Sequence, residues 1–457
     1  MSALPAGWRT ARLDELCEVN PRDKGPENPS TKVSFVPMPA VSDVEGVILP
    51  HDMRQFGDVA QGYTRFRDGD VIFAKITPCM ENGKIAVAAG LQGGMACGST
   101  EFHVLRSKGA ILPEYVWRFL RQVSFREEAE RQMTGAVGQR RVPADYLKQS
   151  VIPFPTLPEQ CRILAKLDDM FRRTGTARSE LNRIHHLADR YKLAVLGAAF
   201  RGELTASYRA KIRKRQNGLA ESIASLRSAY FRKSATKEKP PLTASWTPSI
   251  ELPPGWEWTS VDALSVLVQY GSSAKTSDVS AFTAVPVLRM GNIVDGTLSY
   301  DHLKYLPAKH PEFPDLLLQP GDILFNRTNS AELVGKSAVY LEENRKTSFA
   351  SYLIRLKVVG YLPELVSAYI NSEYGREWVR SVVNQQVGQA NVNGTKLREL
   401  GVPLIPMDEQ EVLMSKIRAS FAAITNATAE VAHAKSLLDR LDEATLSKAF
   451  RGELPAV

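Results

Sequence analysis

Between residues 158 and 204 the chain places an apolar residue at alternating steps of four and three, and it does so again 250 residues later. The first seam begins Ile163, Leu167, Met170, Thr174, Ala177 and runs on through Leu181, Ile184, Ala188, Tyr191 and Val195 to Ala198. The second is in the same phase with some polar members, Leu413, Ile417, Ser420, Ile424, Ala427, Val431, Ala434, Leu438, Leu441, Thr445 and Lys448. A narrow stripe of period 3.5 suits a helix whose partner is one other helix rather than a broad core. Each copy therefore predicts the other as its partner. Each ends in AFRGEL, where Gly202 and Gly452 are placed to cap the helix. Each begins after a proline-rich break, with Glu159 and Glu409 in the first turn, where a helix favours negative charge.

The repetition extends well beyond the helices. LPAGW at residue 4 returns as LPPGW at 252, and residues 66–87 match 318–339 without a gap, sharing Gly69/Gly321, Asp70/Asp322, Phe73/Phe325 and Lys84/Lys336. GAVGQRRVPADYL then pairs with QQVGQANVNGTKL. An offset held within 248 to 252 is a duplication of about 200 residues. Within each copy, VIFAKI, KIAVAA and EFHVLR, like ILFNRT, SAVYLE and YLIRLKVV, are predicted strands. Residues 113–131 and 363–382 are predicted helices opened by proline. The expected fold class is α+β: two homologous mixed domains (1–155 and 252–405), two long helices (156–204 and 406–457) and a connector (205–251).

At 457 residues the chain exceeds what one core usually holds. No apolar run approaches the ~18 residues of a membrane span, and the first residues lack an apolar signal core, so a cytoplasmic protein is expected. Cys17, Cys79, Cys97 and Cys161 are scattered, which points to reduced thiols and to no metal site. Net charge is +8, and the connector alone supplies that excess through ten Lys and Arg against two Glu between 206 and 239. That segment fits either a solvated linker or contact with a polyanion.

Motifs for nucleotide binding, zinc hydrolysis or a nucleophilic serine are absent, and no Asn/Asp-Pro-Pro-aromatic stretch is present to hold a flipped base. The informative residues are polar loops after strands. In the second copy NRTNS supplies Asn326, Arg327 and Asn329, and GQANVNG supplies Gln389, Asn391 and Asn393. In the first, the equivalent places hold Lys75 and Thr77, and Gln139, Arg140 and Arg141. Amides and guanidinium groups offer the paired donors and acceptors that reading base edges in a major groove demands. A shared frame with unlike tips fits the reading of two different short sequences. For any single residue a turn-forming or backbone-capping role competes with that reading.

The proline-then-EQ segments leading into the long helices, the AFRGEL endings, GDVIF/GDILF, RTNS and GQAN together resemble the DNA-specificity subunits of type I restriction–modification systems. The resemblance covers nearly the whole chain. It implies two target-recognition domains held apart by an antiparallel pair of helices, each domain reading one half of a split, asymmetric site in double-stranded DNA. It also implies two methyltransferase subunits as partners, with restriction and motor subunits in the full complex. The chain itself would then lack catalytic activity, and S-adenosylmethionine and ATP would belong to the partner subunits. Chain length alone permits parallel helices as well, since the connector's 47 residues can stretch ~3.3 Å each. Two readings of other classes compete: a protein-binding scaffold, and a self-contained restriction or methylation enzyme.

Overall fold

The computed structural model describes residues 4–136, 138–212, 218–278, 284–329, 333–386 and 389–454, with backbone alone at 329, 384–386, 389 and 390. Two compact units divide the chain, Met1–Arg183 with Val431–Val457, and Ile184–Glu430. Each unit therefore takes one mixed domain, the first part of the long helix that follows it and the last part of the other long helix.

In the first unit a four-stranded antiparallel sheet runs in the order Cys17–Val19, Phe102–Ser107, Val71–Ala74, Ile85–Val87. A second sheet runs Asp52–Gln55, Lys32–Val36, Met95–Gly98, Thr64–Arg67, with one parallel pairing between Lys32–Val36 and Met95–Gly98. The second unit repeats the first sheet as Ser265–Tyr270, Leu353–Val358, Ile323–Asn326, Ser337–Val339. The expected strands all form. The shared Gly-Asp before the third strand has a physical reason. Asp70 is 1% exposed and accepts from Arg67 N at 2.7 Å and from Arg106 Nε and Nη2 at 2.8 and 2.7 Å. Asp322 takes the same place, accepting from Gln319 N at 2.9 Å and from Arg355 Nη1 at 3.4 Å. A buried carboxylate without such partners would cost several kcal/mol.

The helices expected at 113–131 and 363–382 are each two, Pro113–Leu120 with Val123–Arg131 and Pro363–Asn371 with Glu373–Val382. Ser372 sits in extended conformation between the second pair, and its hydroxyl accepts from Gly375 N at 3.5 Å to start the new helix. Side-chain capping of this kind wins over the helical period that spans the break.

Both long helices have 44 residues, Leu157–Phe200 and Met407–Phe450, or ~66 Å at 1.5 Å per residue. They pair antiparallel. In the first unit Thr174 donates to Asp442 at 3.3 Å, and Arg178 pairs with Asp439 at 2.8 Å and Asp442 at 2.7 Å. In the second, Leu196, Ala199 and Phe200 share a core with Leu413, Met414 and Ile417. The seam departs from expectation at Tyr191 and Leu441, which are 56% and 48% exposed, and at Ala427 and Lys448, which are exposed as well. Over its last turns each helix buries a wider stripe, Val195, Leu196, Ala199 and Phe200 or Thr445, Leu446, Ala449 and Phe450, because its neighbour there is a domain core. Phe450 lies on Tyr115 and Phe119 with ring centroids at 4.9 and 5.3 Å, and Phe200 lies on Tyr369 at 5.0 Å.

The repeated end motifs fit each other. Gly202 and Gly452 adopt φ of 72° and 70°. Gly202 N and Glu203 N return to Ala199 O and Ala198 O, both at 2.9 Å, and Gly452 and Glu453 repeat the pattern on Ala449 and Lys448. A Cβ on Gly452 would collide with Pro5, and one on Gly202 with Pro253. LP-x-G-W of each repeat therefore packs on F-R-G-E-L of the other.

Part of the connector docks on the second unit, while Lys211, Arg232, Lys233, Lys237 and Lys239 stay exposed. Its helix Leu219–Lys233 buries Ile223 and Arg227, whose Nε donates to Ser265 O at 3.1 Å. Arg209 bonds Glu409 at 2.5 Å, and Glu409, 2% exposed, also accepts from Trp256 Nε1 at 2.9 Å. Arg213, Lys214 and Arg215 lie outside the described residues.

Candidate nucleic-acid interface

In the first unit strand Val71–Ala74 leads straight into Lys75, Ile76 and Thr77, and residues 134–136 and 138–142 lie beside them. Val142 N donates to Lys75 O at 2.8 Å and Thr77 N to Arg140 O at 3.1 Å, while Arg141 bridges both Ile76 and Thr134. The two loops are thus one surface. Arg141 lays its guanidinium on Glu101, with both bonds at 2.9 Å, and gives a further bond to Gln139 O at 3.0 Å. Arg141's bond holds the Glu101 carboxyl below its ordinary pKa. Arg140 pairs with Glu130 at 3.2 Å, and both remain over a third exposed. Thr77 donates to Glu81 at 2.6 Å. Gln139 is exposed, and Lys75 is half-buried at the edge of an open cleft of about 480 Å³ shared with Arg22 and Tyr63. Gln139, Lys75 and Arg140 keep donors toward solvent, whereas Arg141 and Thr77 shape the loop.

In the second unit the same place carries a three-stranded ribbon, Thr328–Asn329 beside Gln389–Asn391 beside Asn384–Gln386. Val392 N donates to Arg327 O at 2.9 Å, as Val142 does to Lys75. Arg327 lies over the Tyr270 ring at 4.9 Å and donates to Asn391 Oδ1 at 3.2 Å, which also accepts from Thr328 at 3.3 Å. Its Nε has no acceptor among the described residues. Asn391 is exposed. Asn326 is the exception in this group: it is 0% exposed, and its amide donates to Leu333 O at 3.1 Å. As the last residue of a buried strand it points inward, so it holds the loop and offers nothing to a ligand. Asn393 caps helix Gly394–Arg398 by accepting from Lys396 N at 2.9 Å. The side chains of Asn329 and Gln389 lie outside the described residues.

Sequence reasoning missed Arg22 and Tyr63 beside Lys75, and Tyr270 beneath Arg327. Tyr270 also accepts from Gly394 N at 2.7 Å, which ties the ribbon to the sheet. These residues lie 12 to 57 positions from the loops they join, and no local pattern marks them.

Comparison with known proteins agrees with this frame. The family model described as type I restriction modification DNA specificity domain matches residues 5–186. The type I restriction enzyme EcoEI specificity subunit of Escherichia coli is 26% identical over 97% of this chain and 83% of its own length. The EcoAI specificity subunit of the same species is 25% identical over 91% and 77%. Among solved structures, a chain from work on complex assembly and conformational transition of the type I R-M system has a TM-score of 0.69 at 21% identity, covering 99% of this chain and all of its own. The HsdS subunit from Thermoanaerobacter tengcongensis has a TM-score of 0.56 at 22% identity over 99% and 98%. Both share this fold. Among the described residues no helix is long and apolar enough to cross a membrane. In sequence over most of its length, and in fold, the chain is similar to the specificity subunits of type I restriction–modification systems.

Proposed function

We propose that this chain is the DNA-reading subunit of a type I restriction–modification complex, and that each mixed domain reads one half of a split, asymmetric site. The observation that carries this is a conserved frame under unlike tips: Lys75 and Arg327 occupy equivalent turns, each tied to the following loop through its carbonyl oxygen. Around them stand Gln139 and Arg140 in one unit and Thr328 and Asn391 in the other. Side chains that can donate and accept in pairs discriminate bases by ~1–3 kcal/mol each, whereas cations such as Lys75 and Arg140 also suit phosphates. Asn329 and Gln389 stay among the proposed contacts. Asn326, Asn393, Thr77 and Arg141 act by positioning.

The chain is non-catalytic on this reading. Two methyltransferase subunits bind it along the long helices and bring S-adenosylmethionine, restriction subunits bring ATP, and the complex works in the cytoplasm. The test is a swap of residues 1–155 for the same region of a relative, followed by mapping of methylated sites. One half of the site should change while the other stays. If both halves are unchanged, the reading fails.

A further inference from the structure

The two repeats differ sharply at one place where their frames agree. In the first, helix Pro113–Leu120 and the residue after it carry Trp117, Arg118 and Arg121 on one face. Trp117 Nε1 donates to Ile85 O at 2.9 Å, and Arg121 donates to Asp43 O and Val44 O at 3.0 and 2.8 Å. Arg118 stacks on Phe171 at 4.7 Å and pairs with Asp168 at 2.6 Å. Those three side chains close the space between helix, hairpin and sheet. Two hundred and fifty residues later the same positions are Ser367, Ala368 and Asn371. Asn371 satisfies the strand carbonyl, donating to Ser337 O at 2.8 Å, and none of these three positions carries an aromatic ring.

The result in the second unit is a cleft of about 1020 Å³ with an apolar floor, to which Leu196, Val339, Met414 and Phe421 contribute. Leu193 and Leu341 stand on its walls 41% and 64% exposed. Apolar surface of this extent in one concave place marks an interaction site. None of the proposed DNA contacts lines it.

Charge has changed with shape. In the first repeat Arg126 lies in the field of Glu443, and Glu130 is on its helix. The corresponding residues are Arg376, Leu193 and Arg380, so one carboxylate has become apolar and the other cationic. Burial and the charge of Arg380 lower the pKa of Arg376. Of the acids at the rim, Asp295 pairs with Lys192 at 3.3 Å and Glu364 with Arg418 at 3.0 Å. Asp189 and Glu342 are exposed and line the same opening as Lys336, Arg376 and Arg380.

We propose that this cleft receives an aromatic side chain with a neighbouring carboxylate from a protein partner. The ring replaces what Trp117 supplies in the first repeat, and the carboxylate meets Arg380, which is exposed at the rim. In the first repeat Trp117, Arg118 and Arg121 stand at the corresponding positions, so the contact belongs to the second repeat and breaks the two-fold equivalence of the repeats.

The experiment is selection of a displayed random 12-residue peptide library on the full chain. Two variants accompany it: Ser367→Trp with Ala368→Arg, which closes the cleft as in the first repeat, and Arg380→Glu, which leaves it open. Enriched peptides should pair an aromatic residue with Asp or Glu, bind the closed variant at least tenfold more weakly, and bind Arg380→Glu several-fold more weakly. Specific DNA binding and thermal stability should be unchanged in Arg380→Glu, which separates this proposal from the DNA-reading one. The idea is overturned if no peptide enriches, if enriched peptides lack the pattern, or if both variants bind them as the parent does. Decanoate binding without peptide enrichment would assign the cleft to a small amphiphilic acid and overturn it as well.

Discussion

Asn20 sets the tautomer of a histidine whose ring bonds Val142, beside the Lys75 loop. Val104 N donates to Asn20 Oδ1 at 3.0 Å, so the amide NH₂ of Asn20 faces His103 Nδ1 at 3.1 Å. The ring must accept there, and its Nε2–H then donates to Val142 O at 2.9 Å. Burial lowers the pKa of His103. A depressed histidine adds stability that is present above its unfolded pKa, ~6.5, and is lost as pH falls through its lower folded value. Thermal stability of the first unit should therefore fall below about pH 6.5, and His103→Gln should flatten that slope; an unchanged slope would remove His103 as its source. The same scale shows what the sequence could and could not tell. Asn393 stands one residue before a helix, and that local signal was readable as a cap. Asn326 was misread because its place at the end of a buried strand, not its residue type, decides its role. Arg141 is spoken for by Glu101, 40 residues away, a partner that no local pattern reveals.

Helix ends carry the next two expectations. Gly452 is left-handed at φ 70° and lies against Pro5 and Trp8. Gly452→Val adds backbone strain of ~1–2 kcal/mol and a collision, and should lower the melting temperature measurably; a neutral result would mean the end motif is not packed as described. Arg209→Ala strands Glu409, 2% exposed, with one remaining donor, and should cost about 3 kcal/mol. Arg209→Met with Glu409→Gln should cost clearly less in the same denaturant titrations. The strands and both long helices were legible because their periods persist over several residues. The polar ribbon of the second unit was not, since Asn and Gln are poor strand formers and pairing supplies their order. The connector reads in sequence as partly helical, but the docking of its helix was hidden, because its buried Arg227 reads as one more surface cation.

For the molecule as a whole, the exchange of helix ends means that one repeat cannot complete its own unit. Residues 1–204 lack Leu446, Ala449 and Phe450, which join the first core, yet they contain the near-identical Leu196, Ala199 and Phe200. That fragment should therefore form a homodimer in which each copy supplies the other's helix end, and sedimentation would read it directly. A stable folded monomer would contradict the exchange. Helix length has its own test. Removing one heptad from each long helix shortens it by ~10 Å, so the preferred gap between the two halves of the DNA site should shift by about three base pairs or binding should be lost.

Because Pro5 and Trp8 rest on Gly452 in the same unit, the two ends of the described chain meet. The backbone is then topologically close to a loop that happens to be open at one of its two junctions. The other junction is the connector, where residues 239–244 follow the docked helix as a stretch without helix or strand. A circular permutant joined across the present ends and opened there should keep both units intact, with its order of reading heads reversed along the polypeptide and unchanged on DNA.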